Sequence, residues 1–223
     1  MKTETLNFDT AAGATTAFVA MPDNRDENTK ALILIQEWWG LADHIKDIAT
    51  RYADEGFICI APDLYRGKLA TNPDEAGKLM QGLAIEDGID TIKNTINKAR
   101  GTYDLKHFGI TGYCMGGTYA LRAACLLEGI SAAAPFYGDI PEEDVLKNLK
   151  VPVTFISGTK DGWINTEKVT TLEEIADKYE LALDSVKYEA DHAFFNDTRP
   201  EVYDETAAND AWALVTGFFN DKL

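Results

Sequence analysis

The sequence predicts an α/β fold with a mostly parallel central sheet, an antiparallel pair of strands at its N-terminus and helices on both faces. Short apolar runs such as "KALILIQE" are continuous, which is typical of strands buried on both faces of a parallel sheet. Segments with apolar residues three and four positions apart separate these runs, as amphipathic helices do. The 223 residues, 45% of them apolar, suffice to bury the core of one domain spanning 1–223.

The first half of the chain begins with a predicted hairpin and then alternates between strand and helix. "TETLNFDT" and "ATTAFVAMP" alternate in polarity around a turn near Ala12 and Gly13. A helix is predicted over 41–55, followed by the buried strand "GFICIAPDLY". Asn72 and Pro73 begin the next helix, because asparagine caps helix starts and proline suits the first turn. The helix after it carries an apolar stripe and leads to the strand "HFGITGY"; the stripe consists of Ile85, Ile89, Ile92 and Ile96.

The second half repeats the alternation, so the same sheet should continue through it. The predicted strands are "ISAAAPFYG", "VPVTFISGTKDG" and "DSVKYEA". Between them lie a short helix in "PEEDVLKNLK" and a longer one over 165–179. A last amphipathic helix carries Trp212, Val215 and Phe219.

Charge and cysteine content exclude several classes of partner. The formal net charge of −16 would repel nucleic acid and anionic lipid, and no basic stripe overrides it. No apolar run reaches the length of a membrane span, and the N-terminus has no apolar signal region. Cys59, Cys114 and Cys125 lack the spacing of zinc or redox sites, so they are interpreted as reduced thiols. We therefore expect a cytoplasmic enzyme, with neither nucleic acid nor membrane as partner.

The turn in "GYCMGG" is the first candidate for chemistry. Gly112, Cys114 and Gly116 form a G-x-C-x-G pattern between a strand and a helix, the thiol version of the serine nucleophile turn. Such a bend lifts the thiol above the sheet, and the positive end of the following helix favours a thiolate. The amide of Met115 and, from the loop after the first buried strand, the amide of Trp38 are the expected oxyanion donors.

Two further strand ends supply the partners that a thiol nucleophile needs. Cys114, Asp161 and His192 appear in the order nucleophile, acid and base that is typical of α/β hydrolases. His192 would take the thiol proton and Asp161 would orient the imidazole. Asp161 could instead be an ordinary turn residue, and Asp191 could be the orienting acid; the strand-end position favours Asp161.

The other histidines and cysteines lack a comparable setting. His44 falls at a helix start and His107 at the foot of a strand, with nothing similar around either. Cys59 and Cys125 are interpreted as core residues. A tight turn beside a buried cysteine would also explain Cys114 taken alone.

Glu37 ends a buried apolar strand beside the expected oxyanion loop. A carboxylate there either faces solvent or is held in the site by a partner. If it lies near Cys114, its charge opposes thiolate formation until substrate displaces it. We therefore predict a gating role for Glu37.

The combination of "QEWWG", "APDLYRG", "GYCMGG", "FYG", "GTKDGW" and "DHAFFND" resembles the dienelactone hydrolases, or carboxymethylenebutenolidases, over nearly the whole chain. The resemblance implies the α/β-hydrolase fold and the triad Cys114, Asp161 and His192, with Glu37 as the gating residue. It also implies hydrolysis of the anionic lactone dienelactone to maleylacetate during chloroaromatic breakdown, by a monomer without cofactor.

The resemblance further implies arginines that hold a substrate carboxylate. Arg66 and Arg199 are the candidates, and either could equally be a surface residue. Aromatic side chains on the cleft loops predict an apolar pocket, although ordinary packing would explain them too. The residues predicted to contact substrate are Trp39, Tyr137, Trp163 and Phe194, and Trp38 and Phe195 lie on the same loops.

Three alternatives stay open beside a lactone hydrolase. A general carboxylesterase or thioesterase would share every catalytic residue. A thiol amidotransferase would pair its cysteine with a His-x-Glu pattern, whereas Ala193 and Phe194 follow His192 here. A non-catalytic small-molecule binding module usually lacks a member of the triad, and all three are present.

Overall fold

One mixed sheet forms the centre of the molecule. The computed structural model describes residues 1–26 and 29–223, and eight strands in these ranges share the sheet. The strands are β1 (Lys2–Thr10), β2 (Gly13–Met21), β3 (Ala31–Ile35), β4 (Ile58–Pro62), β5 (Phe108–Tyr113), β6 (Ile130–Phe136), β7 (Val153–Gly158) and β8 (Leu183–Tyr188). The helices are α1 (Asp43–Asp54), α2 (Pro73–Gly82), α3 (Ile85–Tyr103), α4 (Met115–Leu126), α5 (Glu143–Leu146), α6 (Thr166–Lys178) and α7 (Glu205–Lys222).

The strand order across the sheet is β1-β2-β4-β3-β5-β6-β7-β8. Strand β2 runs antiparallel to both β1 and β4, whereas β3 to β8 pair in parallel. The predicted fold class, with its antiparallel N-terminal pair and mostly parallel sheet, is confirmed. In the first hairpin Thr10 pairs with Gly13, so the turn consists of Ala11 and Ala12, one residue earlier than predicted.

Two apolar layers cover the two faces of the sheet. Ile33 and Ile35 point into the layer that packs under α3, α4 and α6, whereas Leu32 and Leu34 point into the layer under α1 and α7. Each successive side chain of β3 is thus buried on the opposite face, which is why the run "ALILI" has no polar member. Among the described residues, no helix combines the length and apolar character needed to span a membrane.

Two helices begin with an asparagine cap. The Asn72 side chain accepts a hydrogen bond from the Glu75 amide at 3.0 Å, and Asn165 caps α6 in the same way through the Lys168 amide at 3.0 Å. The short predicted helix in "PEEDVLKNLK" contains only four helical residues.

Parallel strands deliver the four candidate residues to the same edge of the sheet. Glu37 follows β3, Cys114 follows β5 directly, Asp161 follows β7 and His192 follows β8. Because β3 and β5 are neighbours, as are β7 and β8, these loops form two pairs separated by β6. A cleft at the carboxyl ends of the strands is where α/β sheets place their sites.

Candidate active site

Cys114 occupies a strained turn between β5 and α4. Its backbone has φ 56° and ψ −118°, in a region that residues with a side chain rarely adopt. A Cβ at Gly116 would lie 2.2 Å from the Ile35 carbonyl oxygen, and one at Gly112 would lie 2.4 Å from the Gly116 carbonyl oxygen. The two glycines therefore let α4 begin directly against β3 and β5. The turn leaves the Cys114 side chain only 6% exposed.

Asp161 and His192 form a hydrogen-bonded pair. His192 Nδ1 lies 2.6 Å from Asp161 Oδ2, while Asp161 Oδ1 accepts hydrogen bonds from the amides of Trp163 and Ile164 at 2.7 and 2.9 Å. Burial alone would raise the Asp161 pKa, but the hydrogen bonds and charge of His192 and the two amides outweigh it and lower the pKa. Asp191 is exposed, so Asp161 is the carboxylate in contact with the imidazole.

The other imidazole nitrogen is available for proton transfer. His192 Nε2 is buried and has no hydrogen-bond partner among the described residues. In this conformation the Cys114 sulfur is therefore not hydrogen-bonded to it. A thiol that reacts through this histidine has to turn toward Nε2 first.

The environment of Cys114 favours the neutral thiol. Burial raises the pKa of the thiol well above its usual range, and the charges of Glu37 and Asp161 raise it further. A hydrogen bond from the Met115 amide and the charge of Arg199 act in the opposite direction. The Met115 amide at the start of α4 thus lowers the pKa of the thiol, but burial and Glu37 outweigh it.

The two expected oxyanion donors lie on the loops after β3 and β5. In the part of the chain that the structure describes, no backbone carbonyl accepts a hydrogen bond from the amide of Met115 or Trp38. The Met115 amide already contacts the Cys114 sulfur. Their joint action on an oxyanion remains a prediction.

Glu37 is held in the site rather than exposed at the cleft mouth. It is 4% exposed, and its Oε2 accepts a hydrogen bond of 2.9 Å from the Asn196 amide nitrogen. The Asn196 oxygen accepts hydrogen bonds from the Thr198 amide and hydroxyl at 3.0 and 2.6 Å, which fixes the orientation of the amide. Burial raises the pKa of Glu37 to about 7, although Arg199 and Asn196 lower it.

Aromatic rings flank the imidazole on two sides. The ring centroids of Tyr137 and Trp163 lie 5.1 and 5.3 Å from that of His192. Trp163 is 41% exposed, so one wall of the site is an accessible indole. Phe194 is fully buried against Tyr137, with a centroid distance of 5.5 Å. Trp38 and Trp39 pack edge to face at 5.1 Å and are half-buried.

The two candidate arginines lie in different surroundings. Arg66 donates to the Thr10 hydroxyl at 3.2 Å and lines a groove beside the β1–β2 hairpin. Arg199 acts electrostatically on both Glu37 and Cys114, and its guanidinium binds Glu201. Contact of either arginine with a substrate carboxylate stays a prediction.

Sequence reasoning missed three contacts that the structure shows. Asn196 donates a hydrogen bond to Glu37 and lies in the segment "DHAFFND". A polar residue directly after two aromatic residues was the feature of the sequence that could have indicated its role. Tyr65 donates from its hydroxyl to Met115 Sδ at 3.1 Å. His44 does have a carboxylate nearby, since its Nδ1 lies 3.4 Å from Asp197 Oδ1. Cys59 and Cys125 are buried, as predicted.

Known proteins resemble this chain in both sequence and fold. The model of the dienelactone hydrolase family matches residues 15–223. An Aquifex aeolicus protein named provisionally as a carboxymethylenebutenolidase is 38% identical over 206 residues, covering 86% of this chain and 88% of the relative. A Klebsiella pneumoniae crystal structure described provisionally as a dienelactone hydrolase has a TM-score of 0.88 at 27% identity and covers 99% of each chain.

A more distant neighbour bears on the fold alone. The crystal structure of a dienelactone hydrolase-like promiscuous phosphotriesterase from metagenomic libraries has a TM-score of 0.91 at 17% identity, over 99% of this chain and 98% of that one. With the match of the family model and the sequence relatives, the chain belongs to the dienelactone hydrolase family of carboxylic ester hydrolases.

Proposed function

We propose that this chain hydrolyses small esters and lactones through an acyl-thioester on Cys114. The observation that carries the proposal is the arrangement at one sheet edge of a cysteine in a strained strand-to-helix turn and a His192–Asp161 pair with a 2.6 Å hydrogen bond. His192 Nε2 would take the thiol proton, and Asp161 would hold the imidazole and stabilise its charged form.

The chemistry proceeds in two stages. The Cys114 thiolate attacks the acyl carbon, the carbonyl oxygen becomes an oxyanion between the amides of Met115 and Trp38, and His192 returns its proton to the leaving alkoxide. Water then attacks the thioester with His192 as base, releasing the acid and restoring the thiol. In a lactone the leaving alcohol remains part of the product.

Glu37 would gate the first stage. Burial of the Cys114 side chain and the nearby charge of Glu37 together favour the neutral thiol at rest, which would protect it from adventitious alkylation and oxidation. Substrate that displaces the Glu37 carboxylate would remove the opposing charge and allow proton transfer to His192. The thiol would then ionise only when substrate is bound.

The thiolate restricts the substrate class. It is a good leaving group, so a tetrahedral adduct with an amide reverts before the amine departs, whereas activated esters, lactones and thioesters go forward. Dienelactone, hydrolysed to maleylacetate, is the reference reaction implied by the family resemblance. We expect one chain, without cofactor, to suffice for the reaction.

Steady-state hydrolysis with matched cysteine variants tests the proposal. The substrates are cis- and trans-dienelactone and 4-nitrophenyl acetate, and the proteins are wild type, Cys114→Ala and Cys125→Ala. We expect cleavage of at least one substrate that Cys114→Ala loses by at least a thousandfold and Cys125→Ala retains. Full activity in Cys114→Ala would show that the nucleophile is wrong.

A further inference from the structure

Cationic side chains beside the His192 and Asp161 loops already bind carboxylates of this chain. Arg199 Nε and Nη2 lie 2.8 and 2.7 Å from Glu201 Oε1. Lys160, which precedes Asp161, lies 3.4 Å from Glu189 Oε1. An incoming anion would have to compete with these internal partners for each cation.

The residues that face the nucleophile are themselves negative. Glu37 and Asp161 are both buried beside Cys114, and the charge of Arg199 acts on the sulfur in the opposite direction. Arg66, the other arginine considered for substrate binding, faces the groove beside the β1–β2 hairpin together with Asp9. A substrate carboxylate in the cleft would therefore lie near the buried carboxyl groups of Glu37 and Asp161, and near Arg199, which is already paired with Glu201.

The uncharged part of the cleft is aromatic. Trp163 is 41% exposed and packs against His192 with the two ring planes tilted by 41°, and the Tyr137 ring packs against the same imidazole. The faces of these rings gain free energy by covering apolar groups, and they carry no positive charge that would offset the lost hydration of a carboxylate.

We propose that the site selects esters and lactones whose acyl part is uncharged, and that the ion pair of Arg199 with Glu201 contributes to the rejection of carboxylate-bearing analogues. This inference rests on the proposed function and narrows its substrate class. Dienelactone, an anion, would then be a poor substrate for this chain.

A pair of substrates of equal length and equal leaving group tests the charge preference. The 4-nitrophenyl monoester of adipic acid carries a terminal carboxylate, and the 4-nitrophenyl ester of adipamic acid carries a carboxamide in its place. After subtraction of the rate measured with Cys114→Ala, we expect kcat/KM to favour the carboxamide by roughly tenfold or more. Equal values, or a preference for the carboxylate, would overturn the inference and leave the proposed function standing.

Glu201→Gln tests the contribution of the ion pair. Releasing Arg199 should raise the carboxylate-to-carboxamide ratio of kcat/KM by about threefold to fivefold, since an exposed pair contributes modestly. Glu143→Gln, which breaks the exposed pair with Lys178, serves as the control and should keep the wild-type ratio. An unchanged ratio in Glu201→Gln would overturn the assignment to this pair. Cleavage of neither adipic ester above the Cys114→Ala rate would overturn the inference; the proposed function would fall with it only if 4-nitrophenyl acetate and dienelactone were not cleaved either.

Discussion

At the residue scale, the unusual feature is a carboxylate buried beside a thiol. Burial in a region of low dielectric disfavours both ionised groups, and each charge opposes the other. The Asn196 amide offsets part of this cost by donating to Glu37, and Thr198 holds the amide in that orientation. The buried carboxylate lowers the stability of the fold and helps to keep the nucleophile neutral. A neutral resting thiol suits an enzyme whose cysteine should react only with substrate.

Glu37→Gln should make the resting thiol more reactive. Because the pKa of Glu37 is about 7, the side chain is mostly ionised at pH 8 and opposes the thiolate there. We expect the alkylation of Cys114 by iodoacetamide at pH 8 to become about threefold to tenfold faster. At pH 5.5, where Glu37 is protonated, the two proteins should differ little.

Peptide mass spectrometry after timed labelling provides that measurement. Cys59 and Cys125 are buried in the same molecule and serve as internal controls for unfolding. An alkylation profile of Cys114 that is the same in both proteins from pH 5.5 to 8 would reject the gating role.

The raised pKa of Glu37 also predicts that the free energy of unfolding depends on pH. Its pKa is about 7 in the folded protein against 4.5 when unperturbed, so both states are protonated below pH 4.5. As pH rises from 4.5 to 7, the unfolded state loses this proton first, and stability falls. Relative to Glu37→Gln, the wild type should lose roughly 3 kcal/mol across this interval. Urea unfolding from pH 5 to 8 measures the difference, and a constant difference would contradict the prediction.

The sequence pointed to Cys114, Asp161, His192 and Glu37 because each lies at or just after the end of a predicted strand. It did not point to Asn196, because its partner Glu37 lies far away along the chain. It did not point to Glu201 either, because the pair with Arg199 is exposed and no pattern of buried residues marks it. A hydrogen bond between positions 37 and 196 depends on how two loops approach across the sheet edge, and no local pattern encodes that approach.

At the element scale, the join between β5 and α4 determines where the nucleophile sits. The helix begins at the residue after Cys114, and its first turn lies against the end of β3. The continuous apolar runs predicted the central strands well, because a strand that is buried on both faces needs an apolar residue at every position. The predicted helix in "PEEDVLKNLK" is shorter than the segment suggests, because only Glu143–Leu146 are helical and they make one turn.

Gly116→Ala should disrupt this join. The new methyl group would lie 2.2 Å from the Ile35 carbonyl oxygen and 2.7 Å from that of Gln36, neither of which can move without shifting β3. We expect a loss of about 2 kcal/mol or more in unfolding free energy, with loss of esterase activity. Gly101→Ala in α3 is the matched control: its Cβ meets nothing within 4 Å, and the change should stabilise the protein by about 0.5 to 1 kcal/mol. Equal stability of the two variants in urea unfolding would show that the close approach is unimportant.

At the scale of the whole molecule, the excess of acidic residues acts on every substrate that carries charge. The chain has 37 acidic residues against 21 lysines and arginines. Their summed field reaches beyond contact distance at low ionic strength, because the screening length is about 30 Å at 0.01 M salt and about 3 Å at 1 M. The long-range field and the local Arg199–Glu201 pair should therefore oppose anions together.

Salt should relieve that opposition for the charged substrate alone. Between 0.01 and 0.5 M sodium chloride, we expect kcat/KM for the adipic acid monoester to rise by about threefold or more, and that for the adipamic acid ester to change little. In Glu201→Gln the local pair is absent, so any remaining rise reports the long-range field. A fall in kcat/KM for the monoester with added salt would mean that a local cation binds its carboxylate, because screening weakens attraction as well as repulsion. Arg199 and Arg66 would then be the residues to replace, and loss of the salt effect in one variant would identify the cation.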